Sequence, residues 1–271
     1  MEVIRVRLIS GEESRGCEEA PVKILNELRK IKSSVEGSFL DFEKLSLEEI
    51  HVDLENIDEA NHLIFENSKE IFEKNFKSFF IGGDHIITYK IVQAFQNIEA
   101  NPLLVVFDAH IDCGDGDEKG DERVSNKNWL RKLVDEGFSG GRIILISARN
   151  FNNSSLDFLK ENNITLVKMG VLREDIEGVC DLIMERAKDS TGFYISIDIS
   201  SLDSAFVLGA NNPEPGGLSS GDLIYFLRRL SLLDNFKGGD VVETNPLKDV
   251  NDLTVNLSAR LLAEMIVKRD N

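Results

Sequence analysis

The chain has 271 residues, with 48 Asp and Glu against 31 Lys and Arg, a formal net charge of −17 and 42% hydrophobic residues. That apolar fraction excludes a disordered chain. The acid excess argues against nucleic acid or an anionic membrane as partner, since both would be repelled, while it admits a cationic ligand or a metal.

Strand and helix patterns alternate along the chain. A strand over 3–9 precedes a helix over 20–31. A helix over 59–76 leads into a strand over 78–81 and a helix over 86–98. A strand over 103–108 is followed by a helix over 128–136, then strands over 142–147 and 164–168. A helix over 174–188, a strand over 193–198, a helix over 221–232, a strand over 241–243 and a helix over 253–267 complete the series. Several strands are apolar on both faces, as strands between two helical layers are. The alternation predicts an α/β fold of three layers, a mainly parallel sheet with helices on both faces, as one domain over 1–271. No internal repeat or low-complexity linker divides it. The N-terminal MEVIRVRLIS alternates like a strand instead of forming a signal peptide's apolar core, and no apolar run is long enough to span a bilayer. Cys17, Cys113 and Cys180 are too few and too scattered for a disulfide framework, so a reducing, cytoplasmic location is expected.

In open parallel sheets, ligands bind beyond the carboxyl ends of the strands. Four predicted strands end in unusual polar residues. Gly82-Gly83-Asp84-His85 follows the first; its bland reading is a glycine turn with a surface histidine. The second ends Asp108-Ala109-His110-Ile111-Asp112, with a polar side chain at every second position. In an extended chain those side chains share one side, and two carboxylates crowded there need a cation. The third places Asp198 at the end of a β-prone run, with Ser200 and Asp203 beyond it and a rigid loop through Asn211, Asn212, Pro213, Glu214 and Pro215. The fourth is Glu243-Thr244-Asn245-Pro246. Alone, each acid reads as a helix cap or a loop residue. Together they supply two imidazoles and several carboxylates, a donor set that suits Mn²⁺ better than a structural zinc. Such a set could hold two metals and polarise a bridging water.

These four segments resemble the motifs of the ureohydrolase family, the arginases, agmatinases and formiminoglutamases. Gly82–His85 is similar to the first metal motif, Asp108–Asp112 to the second, the stretch from Ser196 to Leu218 to the third with its Pro/Gly-rich continuation, and Glu243–Pro246 to the last. They occur in family order from about residue 79 onward; residues 1–78 match only in outline. The resemblance implies an arginase-like fold with an eight-stranded sheet and a binuclear manganese centre. It assigns one metal to His85, Asp108, Asp112 and Asp198, and the other to His110, Asp108 and Asp198. A metal-bound hydroxide would attack the guanidinium carbon, Asp112 would shuttle the proton, and Glu243 would hold the guanidinium. A homo-oligomer, trimer or hexamer, is likewise implied, with a small cationic guanidino compound as substrate.

Three departures stand out. Ser200 replaces a metal-binding Asp and can supply only a weak, neutral ligand, so reduced affinity is expected at the second metal. Asn126 falls where relatives carry a proton-relaying His. Asn150 and Asn152 are neutral where arginases carry acids that read the α-amino end of arginine. Substrate contacts are therefore expected from Asn126, Asn150, Asn212 and Glu243, with an agmatinase-like preference. The alternatives are a weakly active or non-catalytic relative that still binds metal, an arginase proper, or a deacylase of acetylated amines. The acidic run 115–122 reads as a solvated loop, or as a guide for a cationic tail. Trp129 is expected to pack within a helix, Cys113 to be buried, and Arg149 to form an ion pair.

Overall fold

The computed structural model describes residues 1–74, 77–114 and 123–267. In chain order the elements are β1 (Glu2–Val6), α1 (Ala20–Leu28), β2 (Ser46–Ile50), α2 (Ile57–Glu73), β3 (Ser78–Gly82), α3 (Ile86–Ile98) and β4 (Pro102–Phe107). There follow α4 (Trp129–Asp135), β5 (Ile143–Ile146), α5 (Asn153–Glu161), β6 (Thr165–Val167), α6 (Met169–Glu174), α7 (Ile176–Lys188), β7 (Gly192–Asp198), α8 (Ser220–Leu230), β8 (Phe236–Val242) and α9 (Leu253–Ile266). The eight strands form one sheet in the order β2-β1-β3-β8-β7-β4-β5-β6, and every pairing is parallel.

Alternating strand residues feed two cores, one on each face of the sheet. Phe79 and Ile81 of β3, Leu103, Val105 and Phe107 of β4, and Phe193, Ile195 and Ile197 of β7 pack toward α1, α7, α8 and α9. Phe80, Leu104, Val106 and Tyr194 pack on the opposite side, with α2, α3, α4 and α5. This is the three-layer α/β/α arrangement expected from the double-sided apolar runs. No helix among the described residues is long and apolar enough to cross a membrane.

The structure adds elements that the sequence pattern did not single out. β2 is an edge strand, largely exposed and reading Ser-Leu-Glu-Glu-Ile, so it lacks the apolar signature of its buried neighbours. It is held by parallel pairing with β1 and by the ion pair of Arg5 with Glu49. α5 and α6 are short helices of 9 and 6 residues that bury little of their surface. β8 begins at Phe236, five residues before the predicted start, because Gly238 and Gly239 disguise a strand. Gly238 has φ +146, and a Cβ there would lie 1.8 Å from the Ser78 carbonyl oxygen of β3, so only glycine lets these strands approach.

Adjacency of β3, β8, β7 and β4 is what matters for the site. The four strands whose ends drew attention in the sequence are consecutive in the sheet, so their polar termini meet at one edge.

Candidate metal and substrate site

His85 caps the start of α3 immediately beyond β3 and is completely buried. The loop is drawn tight at Gly83, whose amide donates to the Val6 carbonyl at 3.0 Å. A Cβ on Gly83 would lie 2.1 Å from the Leu8 carbonyl oxygen. The imidazole Nε2 lies 3.0 Å from Ser196 Oγ, and Ser196 Oγ donates to Asp240 Oδ1 at 2.7 Å. Asp240 Oδ2 also accepts from Thr88 Oγ1 at 2.9 Å and Tyr194 Oη at 3.0 Å. Since the Ser196 proton goes to Asp240, Ser196 accepts from His85 Nε2–H. That fixes the tautomer and leaves the Nδ1 lone pair directed at the site.

Nδ1 faces Asp108 Oδ2 at 3.1 Å, Asp112 Oδ2 at 3.2 Å and Asp198 Oδ2 at 3.6 Å. None of these contacts is aligned as a hydrogen bond, so Nδ1 is buried without a hydrogen-bond partner among the described residues. An acceptor nitrogen surrounded by three carboxylate oxygens requires a positive charge between them, a proton or a metal ion. Without a metal, burial opposes the charged imidazole, but Asp108, Asp112 and Asp198 outweigh it and hold the His85 pKa well above its ordinary value. Asp112 is pushed up to about 6, first by burial and then by the neighbouring Asp108. His85, Asp108 and Asp198 place one donor atom each within 4.8 Å of one another. The set fits one divalent cation on its own chemistry.

The neighbouring position is built differently. His110 Nδ1 lies 3.4 Å from Asp108 Oδ1, and its Nε2 lies 3.8 Å from Glu214 Oε1 at the rim. Ser200 is buried, and its Oγ donates to Asp108 Oδ1 at 3.2 Å. Its backbone amide donates to Asp198 Oδ1 at 2.6 Å.

Glu243 closes the inner wall. It is 3% exposed and has φ +63, an uncommon conformation for a non-glycine residue; Asp112, at φ +51, shares it. Glu243 Oε1 accepts from the His85 amide at 2.9 Å and from Asn126 Nδ2 at 3.2 Å. Oε2 is buried with no hydrogen-bond partner among the described residues. Burial, then Asp198 and Asp84, raise the Glu243 pKa well above its ordinary value. Asn126 is itself held: Nδ2 reaches Ser14 Oγ at 3.3 Å, and its backbone amide donates to Ser10 Oγ at 3.2 Å. Ser10 is anchored on Asp84, to which its backbone amide and hydroxyl both donate at 2.6 Å.

His85, Asp108, His110, Asp112, Asp198, Ser200, Asn126 and Glu243 thus converge. Asn150 sits at the exposed rim, where its amide donates to Glu214. Asn152 caps α5 by accepting from the Ser155 amide at 2.8 Å. Asn212 is exposed, whereas its neighbour Asn211 is buried and accepts from Lys248 Nζ at 2.8 Å. Asp203 ties down its own loop through the amides of Ala205 and Gly216. Arg149, expected in an ion pair, instead donates to backbone carbonyls of Ser147, Ser200, Ser201, Leu202, Glu214 and Pro215. It therefore fixes the loop beyond β7 through main-chain oxygens. Cys113 is buried, as expected. The acidic run 115–122 lies outside the described residues.

Trp129 goes further than helix packing. Its Nε1 donates to Asp112 Oδ2 at 2.9 Å, and its ring lies 4.6 Å from that of His85. Sequence reasoning missed this role, together with the Ser196–Asp240 support and the Ser10–Ser14 contacts. Ser196 and Asp240 did leave a trace, as polar residues inside buried strands; nothing in the sequence links residues 10–14 to the site.

A family model described as the arginase family matches residues 5–267. The chain belongs to the arginase family. Over 225 residues it is 27% identical to formimidoylglutamase of Bacillus subtilis (strain 168), covering 80% of this chain and 69% of that protein. It is 32% identical over 225 residues to the human mitochondrial guanidino acid hydrolase, covering 81% of this chain but 62% of that protein, less than two thirds of its length. The crystal structure of formimidoylglutamase from Bacillus subtilis subsp. subtilis str. 168 superposes with a TM-score of 0.89 at 24% identity, over 97% of this chain and 85% of that one. The arginase-family fold is thereby shown, with its eight parallel strands.

Proposed function

We propose that this arginase-family chain hydrolyses a C–N bond in linear guanidino or amidino compounds, agmatinase-like, releasing urea and an amine from a guanidino substrate. The carrying observation is Glu243 Oε2, a buried and unpartnered carboxylate oxygen beside the His85, Asp108, Asp112 and Asp198 cluster. A guanidinium or amidinium N–H supplies the donor that this oxygen lacks. His85, Asp108, Asp112 and Asp198 would hold a divalent ion, for which manganese suits the oxygen-rich set. When bound, that ion makes a hydroxide nucleophile available at neutral pH. The chain's own residues do the rest. Asn126 and the His85 amide aim Glu243, Ser196 and Asp240 orient His85, and Trp129 orients Asp112. The Asp112 carboxylate, held by Trp129, is placed to take up a proton and return it to the departing amine nitrogen.

A cationic tail is favoured by the rim. Glu214 faces it as a carboxylate, while Arg149 is spent on carbonyls, Lys248 on Asn211 and Lys127 on Glu13. Three buried cysteines, with no disulfide among the described residues, support a reducing cytoplasm, and the family resemblance supports residues 1–271 acting as one unit in a homo-oligomer. The test supplies Mn²⁺-loaded protein with agmatine, arginine, guanidinobutyrate and formimidoylglutamate, and follows the amine product by mass spectrometry. Agmatine is expected to turn over fastest. No product from any of the four refutes the hydrolase reading; preference for formimidoylglutamate refutes the cationic tail.

A further inference from the structure

We propose that this chain holds one tightly bound divalent cation, at His85, Asp108, Asp112 and Asp198, and that Ser200 closes the adjoining His110 position to a second ion of comparable affinity. The inference rests on the metal-dependent reading of the site and sets its metal count. Two independent features carry it.

The first is the division of labour between carboxylate oxygens. Asp108 Oδ2, Asp112 Oδ2 and Asp198 Oδ2 all turn toward the unpartnered Nδ1 of His85. The opposite oxygens of the two shared carboxylates are already engaged by the protein. Asp108 Oδ1 accepts the His110 amide at 2.8 Å and the Ser200 hydroxyl at 3.2 Å. Asp198 Oδ1 accepts the Ser200 amide at 2.6 Å. A second ion would have to displace the Ser200 hydroxyl bond and would gain only a neutral oxygen in exchange.

The second feature is charge. The His85 position draws on three carboxylates, Asp108, Asp112 and Asp198, whereas the His110 position shares only Asp108 and Asp198 with it and adds the His110 imidazole and the uncharged Ser200 hydroxyl. A carboxylate at position 200 would bring the second position to three as well. Asp108, Asp198, Ser200 and His85 are all 5% exposed or less, so a bound ion depends on its own ligands for charge compensation, and a second ion at the His110 position has one carboxylate fewer than the first. Ser200 therefore selects against the second ion, whereas the first finds three carboxylates and a pre-oriented imidazole.

The experiment uses the full chain, stripped by chelator and titrated with Mn²⁺. Bound metal is read by elemental analysis after equilibrium dialysis, and the Mn²⁺ environment by electron paramagnetic resonance. The expected result is one ion per chain with the spectrum of an isolated Mn²⁺. Ser200→Asp is expected to bind two ions and to show a spin-coupled pair, while Ser200→Ala stays at one. His110→Asn retains the single ion, and Asp112→Asn binds it at least tenfold more weakly. Two ions in the unmodified chain with affinities within tenfold of each other overturn the proposal. So does loss of the single ion in His110→Asn, or a folded Ser200→Asp that still binds one. These readouts need no turnover, so one bound ion without hydrolysis of any substrate refutes the proposed activity and leaves the ion count standing.

Discussion

Replacing Glu243 by Gln separates a substrate-binding acid from a structural one, because the two roles predict opposite effects. Glutamine keeps the shape and retains an acceptor for the His85 amide and Asn126, now at 2.9 and 3.2 Å. It removes the negative charge facing a guanidinium. Hydrogen bonds to charged groups contribute about 1.5–3 kcal/mol each, so losing a charged pair costs about 3–5 kcal/mol in the transition state, or ~10²–10⁴-fold in kcat/KM. Stability moves the other way. The folded pKa of Glu243 is raised well above its unfolded value of 4.5 by burial and by Asp198 and Asp84. Above pH 4.5 the unfolded chain releases this proton while the folded one retains it, so wild-type stability falls as pH rises toward the folded pKa. The cost is about 1.4 kcal/mol per pH unit, or roughly 2–4 °C in Tm for a chain of this size. Glu243→Gln escapes that cost. The metal-free variant should therefore gain stability over wild type as pH rises above 4.5 toward the folded pKa, in thermal melts on matched samples. A difference flat in pH, or a wild type more stable at pH 8, would show that Oε2 has a compensating cation and would remove the reason for assigning it to substrate.

Asn126→Ala should raise KM about 5–20-fold by freeing Glu243, with metal content unchanged, since Asn126 touches no candidate metal ligand except through the His85–Glu243 contact. Steady-state kinetics and elemental analysis together check this. Trp129→Phe keeps a ring beside His85 but removes the bond to Asp112, and should weaken Mn²⁺ about tenfold in equilibrium dialysis. Chelation should lower Tm, and restoring Mn²⁺ at about 100 times its Kd should recover about 2.7 kcal/mol. Because Asp112 holds its proton below about 6, Mn²⁺ affinity should fall as pH drops through that value, by up to ~10-fold per unit for each proton displaced; a pH-independent affinity between 7 and 5 would exclude Asp112 as a ligand. Arg149→Met should destabilise the protein by about 3 kcal/mol or more, since it leaves several carbonyls of the 200–215 region without their donor; guanidinium chloride unfolding measures it.

The sequence by itself determined the layer plan and most of the candidate site. Double-sided apolar strands such as β3, β4 and β7 can be satisfied only between two helical layers, so their pattern carries the architecture. Polar residues at those strand ends stand out because buried charge is costly, which made His85, Asp108, Asp112, Asp198 and Glu243 visible one motif at a time. Strands that do not bury both faces left no such mark: β2 is charged and exposed, and β8 hides behind Gly238 and Gly239. Only the tertiary structure decided which polar atoms meet. Ser10 and Ser14 reach Asn126 across more than a hundred residues of chain, and no local periodicity encodes a contact of that range. The same holds for the individual oxygens. Ser200 could be seen as a missing acid, but that it occupies Asp108 Oδ1 while Oδ2 turns to His85 follows from loop geometry at two adjacent strand ends. Residue types record what burial demands of each segment; the pairing of donors with acceptors is fixed by where the sheet brings those segments together.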